Sequence, residues 1–225
     1  MRRILAVVAF ALLASPAFAQ LAGISNTEAS SGLKQSLNEG SLAAIAKLGV
    51  QNGFFSNPQV KIPLPPALKR AESALRFAGM KQQADDLVLS MNRAAEMAVP
   101  EARQLLADAV SKMTLQDAKG ILTGGQTSVT DYFKRTTSAQ LTQRFFPIVK
   151  ATTDKVGLAQ QYNSLAGQGA SLGLVKKDDA TVESYVTRKA LDGLYYMIGE
   201  QEKALRANPL GATSDIVRKV FGAMK

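Results

Sequence analysis

The stretch Tyr185-Val186-Thr187-Arg188-Lys189-Ala190-Leu191-Asp192-Gly193-Leu194-Tyr195-Tyr196-Met197-Ile198 decides the fold of this chain. It has the length and composition of a helix, and its apolar residues surround that helix instead of forming one stripe. A helix that is apolar on all sides is buried in the interior of a protein. We therefore predict that the helix from about Asp179 to Ala207 is the central helix of the fold.

One acidic residue interrupts this apolar stretch. Asp192 falls between Tyr185, Tyr195 and Tyr196, and Arg188, four residues earlier, is its natural charge partner on a helix. We predict a buried Asp192–Arg188 pair with a structural role. The alternative is an acid/base group near three phenols, which requires apolar burial without the arginine to raise the pKa of the carboxyl group.

The rest of the chain also has helical spacing of its apolar residues. The longest alternating run, Val60–Leu64, contains a proline and is a poor strand. The pattern predicts an all-α, single-domain multi-helix bundle of about eight or nine helices around the late central helix. Other predicted helices cover residues 28–48, 66–79, 81–99, 100–113 and 214–224, with an extended loop over 52–65.

Helix starts are marked by hydroxyl residues with an acidic or amide residue three positions later. This spacing occurs in three pairs: Thr114 with Asp117, Ser128 with Asp131, and Thr137 with Gln140. We expect a separate helix to begin after each first residue, and Pro147 to kink the last of these helices without ending it. The glycines of residues 167–173 predict a loop.

The first twenty residues have the order of an export signal. Arg2 and Arg3 precede the apolar run Ile4–Ala14, and small residues of Ser15–Ala19 supply a cleavage site. We expect residues 1–19 to be a cleaved signal peptide and residues 20–225 to form one all-helical domain in the periplasm. No later segment is long and apolar enough to span a membrane, so the mature form should have no transmembrane segment.

Two absent residue types exclude several classes of function. The sequence has no histidine, which excludes Ser-His-Asp and Cys-His catalysis, and no cysteine, which excludes disulfides and a lipid-modified anchor. Metal sites built from nitrogen and sulfur ligands are excluded as well, and no calcium-loop spacing of acidic residues is present. We expect neither a metal nor another cofactor.

The chain is basic, with a formal charge of +9, and it remains basic when Arg2 and Arg3 are removed. Such a charge attracts anionic lipid headgroups, polyanionic glycans or acidic proteins. The lysines and arginines are dispersed along an exported chain, so nucleic acid is not an expected partner.

Two further groups are candidate binding residues. Arg93 and Glu96 lie three residues apart on a helix that has apolar residues on both sides, which predicts a partly buried ion pair, with a ligand-holding pair as the alternative. The loop Thr123-Gly124-Gly125-Gln126-Thr127-Ser128 could hold an anion at a helix start, although a glycine-terminated helix followed by a cap is the simpler interpretation. Arg135 is a further candidate for binding anionic components.

Several ordered blocks carry a family resemblance. They are Asn52-Gly-Phe-Phe-Ser-Asn-Pro, Ile62-Pro-Leu-Pro, Met91-Asn-Arg-Ala-Ala-Glu, Val99-Pro-Glu-Ala, Asp117-Ala-Lys-Gly-Ile-Leu-Thr-Gly-Gly, Tyr132-Phe-Lys-Arg-Thr-Thr, Pro147-Ile-Val and Ala190-Leu-Asp-Gly-Leu-Tyr. Together they resemble the bacterial family called domain of unknown function 4197. The resemblance implies a helical protein exported by Gram-negative bacteria, and it transfers no catalytic residue.

Three functions are compatible with these observations. The preferred one is a non-catalytic periplasmic protein that binds anionic envelope components or a partner protein, through its basic field and through Arg93, Arg135 and the 123–128 loop. The second is a histidine-free enzyme that uses carboxylates such as Glu96 or Asp192, for example on glycans. The third is a purely structural or stress-protective helical protein. The sequence leaves the oligomeric state open.

Overall fold

Helices make up almost all of the described part of the chain. The computed structural model describes residues 25–172, 176, 179–208, 215, 217 and 218. The helices of this part are α1 (Asn26–Leu48), α2 (Pro66–Arg70), α3 (Glu72–Phe77), α4 (Lys81–Ala98), α5 (Ala102–Lys112), α6 (Leu115–Thr123), α7 (Ser128–Thr153), α8 (Gly157–Ser171) and α9 (Val182–Ala207). A 3-10 turn at Val99–Glu101 joins α4 to α5, and the described residues contain no strand. The all-α prediction is confirmed.

Helix α9 is central, as the sequence predicts. It packs against α1, α4, α7 and α8, and its most extensive contact is with α7. Val186, Leu194 and Tyr195 of α9 are buried in one continuous apolar core that receives residues from all the longer helices. A contact from Thr137 to Tyr195 and another from Thr153 to Glu183 show that α7 and α9 run antiparallel.

Two helix starts follow the expected local chemistry. The side chain of Ser25 accepts a hydrogen bond from the backbone of Glu28, whose carboxylate accepts in return from the backbone of Ser25. Thr114 and Asp117 form the same reciprocal pair at the start of α6. Gly49 ends α1, so this boundary is also where the sequence places it.

Of the two other predicted starts, the one at Ser128 is confirmed as a helix boundary but without the expected cap, and the one at Thr137 is wrong. Ser128 is already the first residue of α7, and its hydroxyl donates back to the carbonyl oxygens of Gly125 and Ile121. Helix α7 continues without a break through Thr137 and Pro147. The Thr137 hydroxyl donates to the carbonyl oxygen of Phe133 one turn earlier, at 2.6 Å, so it sits inside the helix without acting as a cap.

Two other boundaries also differ from expectation. The predicted helix 66–79 is two short helices, α2 and α3, because the chain leaves helical geometry at Ala71. The expected loop at 167–173 is helical as far as Ser171, in α8. The predicted signal peptide, residues 1–19, lies outside the described residues, as does the predicted helix 214–224 except for Asp215, Val217 and Arg218.

The described helices are not built from long, uniformly apolar segments. None of them combines the length and the apolar composition that a bilayer span requires.

Candidate functional site

The Arg93–Glu96 pair exists, and it holds a loop. The side chain of Glu96 is 4% exposed, and its Oε2 atom lies 2.6 Å from Nη1 of Arg93. Its Oε1 atom accepts hydrogen bonds from the backbone N–H groups of Phe54 and Phe55, at 3.0 and 3.1 Å. Nη2 of Arg93 donates to the side-chain oxygen of Asn52 at 2.9 Å. Both carboxylate oxygens are therefore occupied by partners from this chain.

Asn92, one turn before Glu96, holds the same loop at a second point. Its side-chain oxygen accepts from the N–H of Ile62, and its side-chain nitrogen donates to the carbonyl oxygen of Ile62, both at 2.9 Å. Ile62 and Asn92 are fully buried, so this pair satisfies backbone groups that water does not reach. The hydroxyl of Tyr185 donates to the carbonyl oxygen of Pro63 at 3.2 Å, which links the loop to α9.

The 52–65 loop also packs directly on the central helix. Phe54 is fully buried, and its ring lies against Gly193 so closely that a Cβ atom on Gly193 would be 2.7 Å from Cε1 of Phe54. Asn52 has a backbone φ of 70°, a left-handed conformation that asparagine tolerates better than most residues. The loop is thus a fixed part of the core, positioned by α4 and α9.

Asp192 differs from the prediction. Its side chain is 51% exposed, and its Oδ2 atom is 3.9 Å from Nη1 of Arg188. The closer partner of Arg188 is the carboxylate of Asp179. The predicted pairing of Asp192 with Arg188 is therefore present at a long distance, but its predicted burial is wrong. Asp179, which begins the segment leading into α9, makes the closer contact with the arginine.

Asp192 lines a groove between α7 and α9. The groove has a volume of about 420 Å³ and includes Lys134, Phe146 and Tyr195. The Tyr195 hydroxyl is buried against the hydroxyl of Thr137, at 2.9 Å, and burial raises the pKa of Tyr195 to about 12. Neither Arg93 nor Glu96 lines this groove, so the two charged sites found in the sequence do not meet there.

The 123–128 loop is occupied by its own contacts. The Thr123 hydroxyl donates to the carbonyl oxygen of Lys119, and the Gly125 carbonyl oxygen accepts from the Ser128 hydroxyl. Gly124 is packed so closely that an added Cβ atom would lie 2.5 Å from the carbonyl oxygen of Gly120. These contacts are those of a turn between two helices, and the anion-binding role of the loop stays a prediction.

Arg135 is on the surface of α7, with its side chain 63% exposed. It pairs with Asp117 at 3.1 Å and lies over the ring of Tyr132, with 5.5 Å from its guanidinium carbon to the ring centre. The pKa of Asp117 is lowered, mainly by its hydrogen bonds from Thr114 and also by the charge of Arg135. Arg135 is thus engaged with the start of α6.

Two clefts that share Pro63, Leu64 and Lys69 are lined by seven basic residues. The first, of about 460 Å³, is lined by the cations Lys61, Lys69, Arg76 and Lys81 and by the acidic residues Glu72 and Asp85. The second, of about 600 Å³, is lined by the cations Lys69, Lys176, Arg188 and Lys189 and by the acidic residue Asp179. We call the cations of these two clefts the basic face.

Four cations of the basic face, Lys61, Lys81, Lys176 and Lys189, have no acidic partner among the described residues. No carboxylate of the described residues lies within ion-pair distance of these four lysines. Two of the three acidic residues of this surface are used in ion pairs, because Glu72 pairs with Lys69 and Arg76, at 2.6 and 2.8 Å, and Asp179 pairs with Arg188. Asp85 makes no ion pair within the described part of the chain, so three acidic residues face seven cations. The hydrogen bonds from Lys69 and Arg76 lower the pKa of Glu72 to about 2. The surface therefore keeps a positive excess at neutral pH.

Other buried polar residues have structural partners that the sequence did not reveal. Glu183 is buried and accepts two hydrogen bonds from the side chain of Asn163, both at 3.0 Å. Glu202 is buried beside Arg206, and burial raises its pKa. Acidic residues that lie between apolar positions of α9 are the signal that could have identified both.

Among the described residues, no group of three or more acidic side chains is placed to hold a metal ion.

Comparison with known proteins agrees with the family expected from the sequence blocks. A family model described as "Protein of unknown function (DUF4197)" matches residues 23–222 of this chain. No curated protein and no solved structure shows a match.

Proposed function

The chain belongs to the DUF4197 family, whose description assigns no activity, and we propose from the geometry that it is a non-catalytic envelope protein that binds anionic envelope components. The observation that carries this proposal is the basic face. Cations from α2, α3, α4, α9 and the loops between them line two adjoining clefts, and four of these cations lack an acidic partner among the described residues. Uncompensated charge beside a concave surface attracts anions.

The basic face replaces the cations first considered for this role. Arg93 is bound to Glu96 and Asn52, and Arg135 is bound to Asp117, so an anion would have to compete with internal partners for either arginine. Within the part of the chain that the structure describes, Lys81, Lys176 and Lys189 have no ion-pair partner that would compete with an anion. We therefore place the binding site at the clefts on either side of Pro63 and Leu64.

A charge-reversal experiment tests this site. The variant with Lys81→Glu, Lys176→Glu and Lys189→Glu should bind phosphatidylglycerol vesicles and heparin at least about 100-fold more weakly than the wild type, since each cation near an anionic surface contributes about 1 kcal/mol. Wild-type binding should weaken as salt is added. The measurements are vesicle co-sedimentation and elution from a heparin column along a salt gradient.

The matched control changes the net charge equally on other surfaces. Lys112→Glu, Lys119→Glu and Arg144→Glu alter exposed residues of α5, α6 and α7, and none of these three lines the basic clefts. This control should bind almost as well as the wild type. Equal losses in the two triple variants would mean that net charge alone matters, and absence of binding by the wild type would end the proposal.

The proposed location in the cell envelope rests on the predicted signal peptide at residues 1–19. We propose that this segment is removed after Ala19 and that the protein acts in the periplasm. Cell fractionation and N-terminal sequencing of the natural protein should find it in the periplasmic fraction, beginning at Gln20. Recovery of the protein from the cytosol with Met1 still attached would contradict this location.

The enzyme alternative receives no support from the two carboxylates that suggested it. Glu96 accepts hydrogen bonds at both oxygens and holds a buried loop, and Asp192 is half exposed in a different place. A pair of carboxylates for glycoside hydrolysis must face one substrate across a cleft.

A second alternative is that an acidic partner protein binds to the same basic face. Crosslinking in cells, followed by identification of the bound protein, would distinguish this partner from lipid or glycan.

A further inference from the structure

We infer that the anionic component is a lipid bilayer and that Phe77 inserts into it from the arm formed by α2 and α3, residues 66–79. This inference rests on the proposed function and names its ligand. It is carried by the position of one side chain. Phe77 is 97% exposed and is the most exposed large apolar side chain of the described residues.

The setting of Phe77 matters more than its exposure, because single exposed apolar residues are common on proteins. Phe77 is the last residue of α3, and the arm turns at Gly79, where φ is 75°. It is the only large exposed apolar side chain of the arm. The ring therefore projects alone near a turn, where a flat surface could reach it.

Cations flank this ring on both sides in the chain. Lys69, Arg70 and Arg76 precede Phe77 and Lys81 follows it, and all four are exposed. Glu72 is the one acidic residue of the segment 66–81, and it is paired with Lys69 and Arg76. An exposed aromatic ring flanked in the chain by exposed cations matches the outer layer of an anionic bilayer, where the ring reaches the acyl boundary and the cations meet the headgroups.

The arm can meet a surface without disturbing the core. Neither α2 nor α3 contains a buried residue, while the partly buried Ala67 and Leu68 pack against the core and hold the base of the arm. A protein partner would normally cover several adjacent apolar side chains at the centre of its contact. A lone ring within basic residues fits a bilayer better than it fits such a contact.

The absence of tryptophan from the sequence allows a direct test. Phe77→Trp creates a protein with one tryptophan at the tip of the arm. Vesicles of phosphatidylglycerol mixed with phosphatidylcholine should shift its emission to shorter wavelength, and lipids brominated on their acyl chains should quench it. The control is Leu115→Trp, which places the single tryptophan at another exposed apolar position, on α6, and its emission should not respond.

A second variant measures the contribution of the ring. Phe77→Ala should bind the same vesicles about tenfold more weakly, because the variant has no phenyl ring to transfer from water into the bilayer. Its urea unfolding should match that of the wild type, since the ring has no buried contact to lose.

The outcomes separate this inference from the proposed function. If the Phe77→Trp protein binds the vesicles in a salt-sensitive manner but its emission is neither shifted nor quenched, insertion is wrong and headgroup binding by the lysines stands. If no variant binds vesicles while heparin is still retained, the lipid is wrong and the anionic-ligand proposal stands. If neither vesicles nor heparin are bound, both are wrong.

Discussion

At the scale of single residues, Glu96 has the largest structural role among the charged side chains found in the sequence. Its carboxylate is buried and joins α4 to the 52–65 loop through Phe54, Phe55 and Arg93. Replacing it should cost more than a surface ion pair would, because two backbone N–H groups and a partly buried guanidinium would lose their acceptor.

We therefore expect Glu96→Ala to lower the free energy of unfolding by about 3 to 5 kcal/mol, measured by urea denaturation. Glu96→Gln keeps one acceptor for the two N–H groups and should lose less. Glu101→Gln is the matched control, an exposed glutamate in the turn that follows α4, and should change stability by no more than about 0.5 kcal/mol. A similar small effect from Glu96→Ala would contradict the anchoring role.

Because of Tyr185 and Tyr195, we expect the free energy of unfolding to fall at high pH. Burial raises the pKa of each phenol to about 12 from an ordinary value of 10.0. Below pH 10 both phenols are protonated in the folded and the unfolded chain, and their contribution to stability is fully present. As the pH rises from 10 to 12 only the unfolded chain ionises freely, so about 2 to 3 kcal/mol per phenol is lost.

Tyr195→Phe removes one of these two ionisations. It should lower stability at neutral pH by about 1 kcal/mol, through the lost hydrogen bond to Thr137, and should make stability fall less steeply between pH 10 and 12. Circular dichroism during urea titrations at several pH values measures both effects. Parallel stability curves for variant and wild type would show that Tyr195 does not carry the pH dependence.

The two charged sites show which residue-level features a sequence can reveal. The Arg93–Glu96 pair was predictable, because both residues lie on one helix and their spacing fixes their distance. The partners of Glu96 in the loop were not, since Phe54 and Phe55 lie more than forty residues earlier in the chain and meet it only after folding. For Asp192 the pairing with Arg188 was predictable, but the closer contact of Arg188 with Asp179 was not, because Asp179 lies outside α9.

At the scale of elements, the contact between α9 and the 52–65 loop depends on Gly193. Gly193→Ala would place a methyl group 2.7 Å from the ring of Phe54, so the ring or the loop must move. We expect a loss of about 1 to 3 kcal/mol in the free energy of unfolding, the usual cost of overpacking.

Gly167→Ala is the matched helical control. Gly167 lies in α8, where an added Cβ atom has no neighbour within 4 Å. Alanine should raise stability there by up to about 1 kcal/mol, because it has the higher helix propensity. Opposite signs in the two variants, measured by thermal and urea unfolding, are the expected result. Equal effects would mean that the packing of Phe54 on Gly193 is unimportant.

Helix boundaries were predictable where one local motif controls them. Gly49 and the Thr114–Asp117 pair mark ends that the structure contains. The predicted helix start at Thr137 was wrong because a threonine hydroxyl can also donate to the carbonyl oxygen one turn earlier, which leaves the helix intact. The sequence does not distinguish these two uses of a hydroxyl, since the choice depends on burial against Tyr195.

At the scale of the whole molecule, stability should be distributed unevenly. The middle of α9 is buried on most sides, whereas α2 and α3 bury no residue. Hydrogen exchange followed by mass spectrometry should therefore be slowest in the middle of α9 and fastest in the arm of residues 66–79. Equal protection of the arm and of α9 would show that the arm is held more firmly than its burial indicates.

The fold was more predictable than the candidate site. Apolar residues around the whole circumference of the late helix indicate its central position directly. The basic face instead combines Lys81, Lys176, Lys189 and their neighbours, which come from separate segments of the chain. Net charge predicted that an anion would be attracted, but only the packing of α2, α3, α4 and α9 determines where the cations meet.

The fixed loop has a consequence for the chemical ageing of the protein. Asparagine followed by glycine is prone to lose its side-chain amide, because the unhindered glycine nitrogen can attack the asparagine side chain. Here Arg93 holds the side chain of Asn52, and the N–H of Gly53 donates to the carbonyl oxygen of Val50 at 2.9 Å. Deamidation should therefore be slow while the loop is closed and faster in Glu96 variants, so that isoaspartate at position 52 in stored protein records how often the loop opens.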